Sequence, residues 1–335
     1  MAERPSPTAS AEHHIVVLDG FTLNPGDLSW ERLSTWGTLS VHPRTPKGAT
    51  LIARARDADI LITNKAVLDA EALASLPALR FIAVSATGTN VVDLEAARRQ
   101  GVVVSNVPDY GASSVAEHTF ALILEALKRI GAHTRAVAEG AWCTAPDFSL
   151  TVAPLGELDG KTLGIVGFGA IGQRVATIAR AFRMHVLVSE HTPKKPHPVT
   201  PAELVVERCS LDDLFARADI VTLHCPLTEA TRGLVDAARL RSMKPGALLV
   251  NTARGGLVVE ADLAAALAAG TIAGACLDVL GEEPPPADAP LLTSPNCWIT
   301  PHVAWASLES RRRLLNATLD NVQAFVEGRP INVVN

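Results

Sequence analysis

The chain of 335 residues lacks the features that mark several classes of protein. No block of basic residues is present and the formal net charge is −5, which argues against nucleic acid as the main partner. No apolar run reaches the roughly 18 residues that a membrane helix needs, and no apolar segment follows a basic start as in a secretory signal. We therefore expect a cytoplasmic protein whose partners include neither a membrane nor a nucleic acid.

Cysteine is sparse, and its spacing does not indicate a metal site. The five cysteines form no C-x-x-C pair and show no metal-ligand spacing: Cys143, Cys209, Cys225, Cys276 and Cys297. We interpret them as reduced, buried thiols of a cytosolic protein and predict that no metal is bound.

What the chain has in quantity is apolar sequence. Apolar residues make up 48% and charged residues 19%, a balance typical of a well-packed globular protein. The length exceeds one ordinary hydrophobic core, so two domains are expected. Residues 1–12 are polar and rich in proline, serine and alanine, and we predict a disordered tail there.

Strand-like and helix-like segments alternate along the first hundred residues. Predicted strands lie at 15–18, 38–42, 60–63, 79–84 and 102–105, and the predicted helices between them include 27–36, capped by Asp27, 70–76 and 92–100. This alternation predicts a parallel sheet with helices on both faces. No glycine-rich fingerprint follows any of these strands, so we interpret this half as a substrate-side domain.

A glycine-rich turn organises the second half. An apolar strand at 162–166 leads into a G-x-G-x-x-G made of Gly167, Phe168, Gly169, Ala170, Ile171 and Gly172. A helix and a second strand at 185–188 follow, as in the unit that binds a dinucleotide. Gly167 allows the tight turn, Gly169 lets the backbone approach the pyrophosphate, and Gly172 lets the helix pack on the strand. The pyrophosphate then meets the helix N-terminus. A purely structural glycine turn is the alternative.

An acidic residue indicates which dinucleotide is bound. Glu190 lies 18 residues beyond Gly172, where a carboxylate accepts hydrogen bonds from the ribose hydroxyls. Its charge opposes the extra phosphate of NADP, so NAD is the expected cofactor. His191, Lys194 and Lys195 follow closely and leave NADP open.

The elements of the remaining chain predict how the two domains are connected. Further strands are predicted at 219–223, 247–251, 272–277 and 297–300, and helices at 113–130 (capped by Ser113 or Ser114), 134–139, 211–217, 236–242, 260–269 and 309–327, before an edge strand at 331–334. The fold class is therefore α/β, with two doubly wound parallel-sheet domains. We predict that the last helix returns to the first domain, so that a Rossmann NAD domain, 113–302, is inserted into a flavodoxin-like substrate domain, 13–112 plus 303–335. A linear chain divided near residue 145 is the alternative.

Three segments at predicted strand ends carry groups that can do chemistry. Arg254 lies where ligands bind in open α/β sheets, and its guanidinium can hold a carboxylate or keto oxygen. Glu282 and Glu283 precede a proline run, and His302 follows the next strand. A carboxylate beside a histidine favours the protonated ring, which can donate a proton to a ketone oxygen. The alternatives are a solvated arginine and a structural histidine.

With these motifs in place, the sequence resembles the D-isomer-specific 2-hydroxyacid dehydrogenase family from about residue 14 to 335. The segments VGFGAIGQ, HCPLTEATRGL, MKPGALLVNTARGGLV, AGACLDVLGEEP and ITPHVAWAS carry the resemblance. Within the family, the sequence is most similar to the glycerate dehydrogenase (hydroxypyruvate reductase) group, through LDGFTLNPGDLSW, LITNKAVL, GTNVVDLEAAR and PHVAWAS.

The resemblance implies a role for individual residues. It makes Arg254 the substrate-orienting arginine, His302 the general acid/base, and Glu283, rather than Glu282, the acid that pairs with it. The backbone of Ala86, Thr87 and Gly88 corresponds to the loop that holds the substrate carboxylate, with Thr89 where many members have tyrosine. Asp278 corresponds to the residue near the nicotinamide carboxamide. The other implied cofactor contacts are Cys225, Pro226, Thr231, Thr252 and Ala253, together with Arg254 and His302.

The implied activity is the NAD(P)H-dependent reduction of a small 2-oxo acid to the D-2-hydroxy acid, and the reverse. Hydroxypyruvate and glyoxylate are the expected substrates, giving D-glycerate and glycolate, in a homodimer whose domains close about a hinge. Alternatives are an NAD(H)-sensing corepressor of the same fold or another member such as phosphoglycerate dehydrogenase. Many phosphoglycerate dehydrogenases carry a C-terminal regulatory domain, whereas this chain ends at Asn335. Formate dehydrogenases have glutamine where Glu283 stands.

Overall fold

The computed structural model describes residues 12–189 and 204–335. These residues form two compact units: the described residues up to Gly111 together with Leu308–Asn335, and Ala112–Ser307. Of the predicted tail only Glu12 is described, and Glu190 lies outside the described residues.

The elements follow one another as alternating strands and helices. The strands are β1 His13–Val17, β2 Gly37–Val41, β3 Ile60–Thr63, β4 Phe81–Val84, β5 Val103–Ser105, β6 Thr162–Val166, β7 His185–Ser189, β8 Glu207–Arg208, β9 Ile220–Leu223, β10 Leu248–Asn251, β11 Gly274–Leu277 and β12 Cys297–Ile299. The α-helices are α1 Ala49–Ala55, α2 Ala70–Ala74, α3 Leu94–Arg99, α4 Ala112–Lys128, α5 Ile130–Ala138, α6 Ala170–Ala181, α7 Leu211–Arg217, α8 Ala237–Ser242, α9 Glu260–Ala268 and α10 Leu308–Val326. Short 3-10 helices occupy Glu31–Thr35, Gly255–Leu257 and Pro290–Thr293.

The first unit is built on a parallel sheet of five strands in the order β2-β1-β3-β4-β5. Every residue of β3 and β4 is buried, because helices cover both faces of the sheet. The order matches the flavodoxin-like doubly wound arrangement.

The predicted helix capped by Asp27 is wrong. The side-chain oxygen of Asn24 accepts the backbone N–H groups of Gly26 and Leu28, which folds this stretch into a turn. The carboxylate of Asp27 instead accepts two hydrogen bonds from Arg311, each 2.7 Å long. The carboxylate of Asp27 is therefore engaged in an ion pair with Arg311 and does not cap a helix. Only the 3-10 helix from Glu31 forms in this stretch.

The C-terminal helix completes the first unit. Phe325 of α10 stacks on Phe81 of β4, with ring centroids 4.5 Å apart and an interplanar angle of 8°. Beyond α10, Val334 donates its N–H to Val104 O at 2.9 Å. The predicted edge strand 331–334 is reduced to one antiparallel bridge, between Ser105 and Val333.

The second unit contains a seven-stranded parallel sheet in the order β12-β11-β10-β9-β6-β7-β8. The first strand of this sheet along the chain is β6, and the later strands are added on both sides of it. This is the Rossmann arrangement. The two sheets confirm the predicted α/β fold class with doubly wound parallel sheets. The short edge strand β8 was not predicted.

Neither Ser113 nor Ser114 caps the long helix of the second unit, contrary to the prediction. The helix α4 begins at Ala112, so both serines lie inside it. Ser114 is buried and donates its hydroxyl to Ala304 O at 2.6 Å, a contact between residues distant in sequence.

Among the residues described, no helix is long and apolar enough to cross a membrane.

Candidate active site

Neighbouring strands place the predicted chemical groups along one edge of the second sheet. In the parallel strands β10, β11 and β12 the carboxyl ends meet at this edge. Arg254 comes shortly after β10, Asp278 follows β11 directly, and His302 comes shortly after β12. Residues far apart in sequence are therefore brought to adjacent strand ends.

His302 and Glu283 form a direct pair. His302 Nδ1 lies 2.5 Å from Glu283 Oε2, and the two side chains are 27% and 35% exposed. The other carboxylate oxygen of Glu283 accepts the N–H of Leu280 at 3.1 Å, which fixes the carboxylate plane. With Nδ1 engaged, Nε2 is the ring atom of His302 that can exchange a proton with a bound molecule.

The backbone around His302 is held from several sides. His302 has φ +54°, in the left-handed region, and its N–H donates to Asp278 O at 2.8 Å. Trp305 Nε1 donates to the carbonyl of His302 at 3.0 Å. The buried carboxylate of Asp278 accepts the N–H groups of Val303 and Ala304, both at 2.9 Å. Asp278, predicted as a cofactor contact, thus also shapes the segment that carries the histidine.

Arg254 lies on an ordered loop. Its side chain is exposed, and Nη1 donates to Ala253 O at 2.6 Å. The buried side chain of Asn251 accepts the N–H of Ala253 at 3.0 Å and donates to Arg254 O at 2.9 Å. Gly255 packs so closely that a Cβ there would lie 1.9 Å from the carbonyl carbon of Leu280. The arginine loop therefore rests on the loop that leads to Glu283.

The glycine-rich turn has the geometry that a dinucleotide requires. Gly167 has φ +92°, and a Cβ on it would lie 2.6 Å from Cys225 N. A Cβ on Gly172 would lie 2.3 Å from Gly167 O, whereas a Cβ on Gly169 would meet nothing within 4 Å. Gly169 is the N-cap of α6, so the space beside it lies at the positive end of a helix. These residues fit a bound pyrophosphate.

The other predicted cofactor residues lie on loops at the same edge. Cys225 follows β9 and its backbone contacts Gly167. Thr231 and Pro226 share a turn, in which Thr231 Oγ1 donates to Pro226 O at 2.7 Å. Thr252 is buried and bonds to Thr119, with 3.1 Å between the hydroxyl oxygens. Ala170 and Ile171 open α6, and Phe168 is buried.

Two partly buried groups after β9 are uncharged, because desolvation disfavours their charged forms. Burial lowers the pKa of His224 to about 3, so its ring is neutral. Its Nε2 lies 2.9 Å from Thr222 Oγ1. Burial raises the pKa of the Cys225 thiol. His224 and Cys225 therefore contribute no charge to the loop that follows β9.

The predicted substrate loop belongs to the first unit and follows β4. The carbonyl of Ala86 accepts the N–H of Val107 at 3.0 Å, and the hydroxyl of Thr87 donates to Val107 O at 2.9 Å. Asn106 Nδ2 donates to Thr87 O at 2.7 Å. These bonds fix the loop on which Gly88 lies.

Several residues of the site were missed by sequence reasoning. Asn251 was quoted only as part of its motif, although its side chain organises the arginine loop. Thr300 and His118 lie behind His302, and no local pattern connects them because they are 182 positions apart. Within residues 12–189 and 204–335, no group of three or more His, Cys, Asp or Glu side chains could hold a metal ion.

A dinucleotide turn and a His–Glu pair on one sheet edge define a class, the nicotinamide-dependent oxidoreductases. The model of the D-isomer specific 2-hydroxyacid dehydrogenase NAD-binding domain matches residues 120–304. The chain belongs to this family, is an oxidoreductase and carries the family's NAD-binding domain, as predicted.

Similarity to individual proteins supports the same family assignment. The chain is 44% identical to a hydroxypyruvate reductase of Blautia hydrogenotrophica, over 96% of this chain and 99% of the relative. It is 41% identical to a glycerate dehydrogenase of Methylorubrum extorquens, over 85% and 88%. The structure of a D-lactate dehydrogenase from Aquifex aeolicus, complexed with NAD and lactic acid, superposes with a TM-score of 0.81 at 28% identity, covering 94% of this chain and 96% of that one.

Proposed function

We propose that the protein reduces hydroxypyruvate or glyoxylate to D-glycerate or glycolate with NADH, and catalyses the reverse reaction. The relatives named hydroxypyruvate reductase and glycerate dehydrogenase, with the identities given above, support this substrate class. The single observation that carries the chemistry is the 2.5 Å contact between His302 and Glu283, on the sheet edge that also carries the glycine-rich turn.

The proposed roles follow from the groups at that edge. When bound, the nicotinamide supplies or accepts a hydride. His302 Nε2 donates a proton to the keto oxygen during reduction and accepts it from the hydroxyl during oxidation. Glu283 contacts the opposite ring nitrogen at 2.5 Å, which orients the imidazole.

Binding of the substrate needs a partner for its carboxylate. We assign Arg254 to the carboxylate and keto oxygens, because an exposed guanidinium can donate two parallel hydrogen bonds to them. We assign the backbone of Ala86, Thr87 and Gly88 to the same carboxylate. The loop's bonds to Val107 and Asn106 support this role, because they preorganise its backbone.

For the cofactor we propose contacts from the glycine-rich turn and the loops after β9, β10 and β11. These contacts are Gly167, Phe168, Gly169, Ala170, Ile171, Gly172, Glu190, Cys225, Pro226, Thr231, Thr252, Ala253, Arg254, Asp278 and His302. The carboxylate of Glu190 favours NAD over NADP because it repels a 2′-phosphate.

We further propose a homodimer formed through α5 and the segment after it. No residue of α5 is buried, and Trp142, Phe148 and Leu155 expose large apolar surfaces, Phe148 to 92%. Such a patch on a monomer commonly marks an interface. The five cysteines are all unpaired, which supports a cytoplasmic location. The expectation that they are buried is wrong for Cys143, which is exposed, and only Cys276 is fully buried.

The test is a panel of 2-oxo acids with NADH and NADPH, run on the wild type and on His302→Ala. We expect His302→Ala to bind NADH normally, since cofactor contacts come mainly from other residues. Turnover should fall roughly 10²–10⁴-fold, the usual contribution of a general acid. Unchanged turnover in the variant, or no oxidation of NADH with any acid of the panel, contradicts the proposal.

A further inference from the structure

A buried hydrogen-bonded set lies behind His302 within the second unit. Asp278, only 1% exposed, accepts the N–H groups of Val303 and Ala304 with its carboxylate and that of His302 with its carbonyl. One aspartate therefore fixes three successive peptide groups, beginning with that of the histidine. This support matters because the left-handed backbone of His302 persists only when its surroundings hold it.

The orientation of the Asp278 carboxylate is in turn set by Thr300 and His118. Thr300 Oγ1 lies 2.6 Å from Asp278 Oδ1, and His118 Nε2 lies 2.9 Å from the same hydroxyl oxygen. A carboxylate only accepts, so Thr300 must donate its one proton to Asp278 and accept at its other contact. His118 Nε2 therefore carries a proton, and it also faces Asp278 Oδ1 at 3.6 Å.

We propose that Thr300 and His118 are positioning residues, which act through the Asp278 carboxylate to hold His302 where it can exchange a proton with the substrate. The inference rests on the proposed function, because it assigns these residues to the proton-transfer step. Without the donor from Thr300 the carboxylate loses one of the bonds that fix its rotation. The N–H groups of Val303 and Ala304 are then held less firmly, and so is the imidazole.

The main experiment compares Thr300→Val with Thr300→Ser. Thr300→Val keeps the shape of the side chain and removes the hydroxyl, and we expect kcat to fall roughly 10- to 100-fold, as for a small misplacement of a catalytic group. The affinity for NADH should fall much less than kcat, because most of the proposed cofactor contacts come from residues other than Asp278. Thr300→Ser restores the hydroxyl and should recover most of the kcat.

A matched control removes a buried threonine hydroxyl elsewhere. Thr45 lies in the first unit, and its hydroxyl donates to Leu18 O at 2.5 Å. Thr45→Val should leave kcat at the wild-type value. If kcat falls in Thr300→Val but not in Thr45→Val, the loss comes from the hydrogen bonds behind His302 and not from the removal of a buried hydroxyl in general.

A second variant tests the outer end of the network. If Thr300→Val does not fold, His118→Leu is the variant to test in its place. We expect His118→Leu to fold, because the side chain of His118 is 23% exposed. His118→Leu removes the donor to Thr300 and should lower kcat, whereas His118→Gln keeps an N–H donor and should lower it less. In a His302→Ala background, Thr300→Val should cause no further loss, since it acts through the histidine.

The outcomes separate this inference from the proposed function. Wild-type kcat in both Thr300→Val and His118→Leu, with a slow His302→Ala, overturns the inference and leaves the function standing. A kcat loss matched by a loss of NADH affinity, and not recovered by Thr300→Ser, points to general structural damage and also overturns it. A fast His302→Ala removes the proposed function and the inference with it.

Discussion

At the scale of single residues, the site combines one proton-transfer pair with one exposed cation. His302 is paired with Glu283 at 2.5 Å, whereas the side chain of Arg254 is exposed. An exposed guanidinium on a loop fixed by Asn251 is ready to meet an anion, because the loop needs no rearrangement. The two groups therefore make different contributions, which variants can separate.

Arg254→Ala should affect substrates according to whether they carry a carboxylate. With hydroxypyruvate we expect kcat/KM to fall about 100-fold or more, since the hydrogen bonds to both the carboxylate and the keto oxygen are lost. With hydroxyacetone, which lacks the carboxylate, the loss should be smaller. Steady-state kinetics of both substrates measure this, with Arg254→Lys as the control that keeps charge without the planar fork. Equal losses for the two substrates contradict the assignment.

The desolvated ring of His224, whose Nδ1 atom is buried, predicts a pH dependence of stability. Its folded-state pKa, lowered to about 3, lies below the value of about 6.5 expected in the unfolded chain. The unfolded state therefore binds a proton first, so the stability is complete above pH 6.5 and is lost as the pH falls toward 3. Between pH 7 and pH 5 the loss should be about 2 kcal/mol.

Urea unfolding of the cofactor-free protein at the two pH values measures this effect. His224→Gln, which cannot titrate, should lose about 2 kcal/mol less than the wild type between pH 7 and pH 5. His185→Gln removes an exposed histidine from the start of β7 and serves as the control. If His224→Gln and the wild type lose the same free energy of unfolding, the ring is not desolvated in the folded protein.

At the scale of elements, the junction of β6 and α6 does two things at once. Gly172 lets the helix pack against the turn, and Gly169 keeps the space at the helix N-terminus open. The same six residues therefore serve packing and binding, at different glycines.

Alanine at these two glycines should separate the two tasks. Gly172→Ala puts a Cβ 2.3 Å from Gly167 O and should lower the free energy of unfolding by about 1–3 kcal/mol. Gly169→Ala meets no neighbour within 4 Å, so stability should stay within about 0.5 kcal/mol of wild type. NADH affinity should fall at least roughly tenfold in Gly169→Ala, because the methyl group enters the pyrophosphate space.

Urea unfolding and NADH fluorescence titration of both variants give the two readouts. Wild-type NADH affinity in Gly169→Ala means that the open space is not where the pyrophosphate binds. Wild-type stability in Gly172→Ala means that the turn can move away from the helix.

At the scale of the whole molecule, one feature joins parts distant in sequence and another leaves apolar surface exposed. The helix α10 returns to the first unit, where Phe325 stacks on Phe81 and Arg311 pairs with Asp27. The apolar side chains after α5 have few neighbours within the described chain, with Phe148 92% exposed. The first feature closes a unit, and the second supports the proposed homodimer.

The proposed homodimer can be tested at the most exposed of these side chains. Phe148→Ser should convert a dimer into a monomer in light scattering coupled to gel filtration, because the apolar contact is lost. The fold of the subunit should persist, since the side chain is not part of a core. Val41→Ser, at another exposed apolar residue in the first unit, should remain dimeric. A monomeric wild type, or a dimeric Phe148→Ser, contradicts the interface.

The sequence by itself determined the alternation of strands and helices, the glycine-rich turn and the family, because these depend on local patterns of a few residues. Most strands, among them Ile60–Thr63 and Thr162–Val166, lie where the apolar runs predicted them. Positions at predicted strand ends pointed to Arg254, to Glu282 or Glu283 and to His302. The family resemblance selected Glu283 and supplied the roles, since nothing in a one-dimensional pattern shows that side chains far apart in the chain meet.

Only the tertiary structure decided which polar side chain serves which partner. Asp27 was expected to cap a helix but pairs with Arg311. Ser113 or Ser114 was expected to cap α4, but Ser114 donates to Ala304. Thr300 and His118 meet across 182 positions. The physical reason is that a short polar group bonds whichever complementary atom the folded chain brings within about 3 Å, and sequence patterns report neighbours along the chain, not across it.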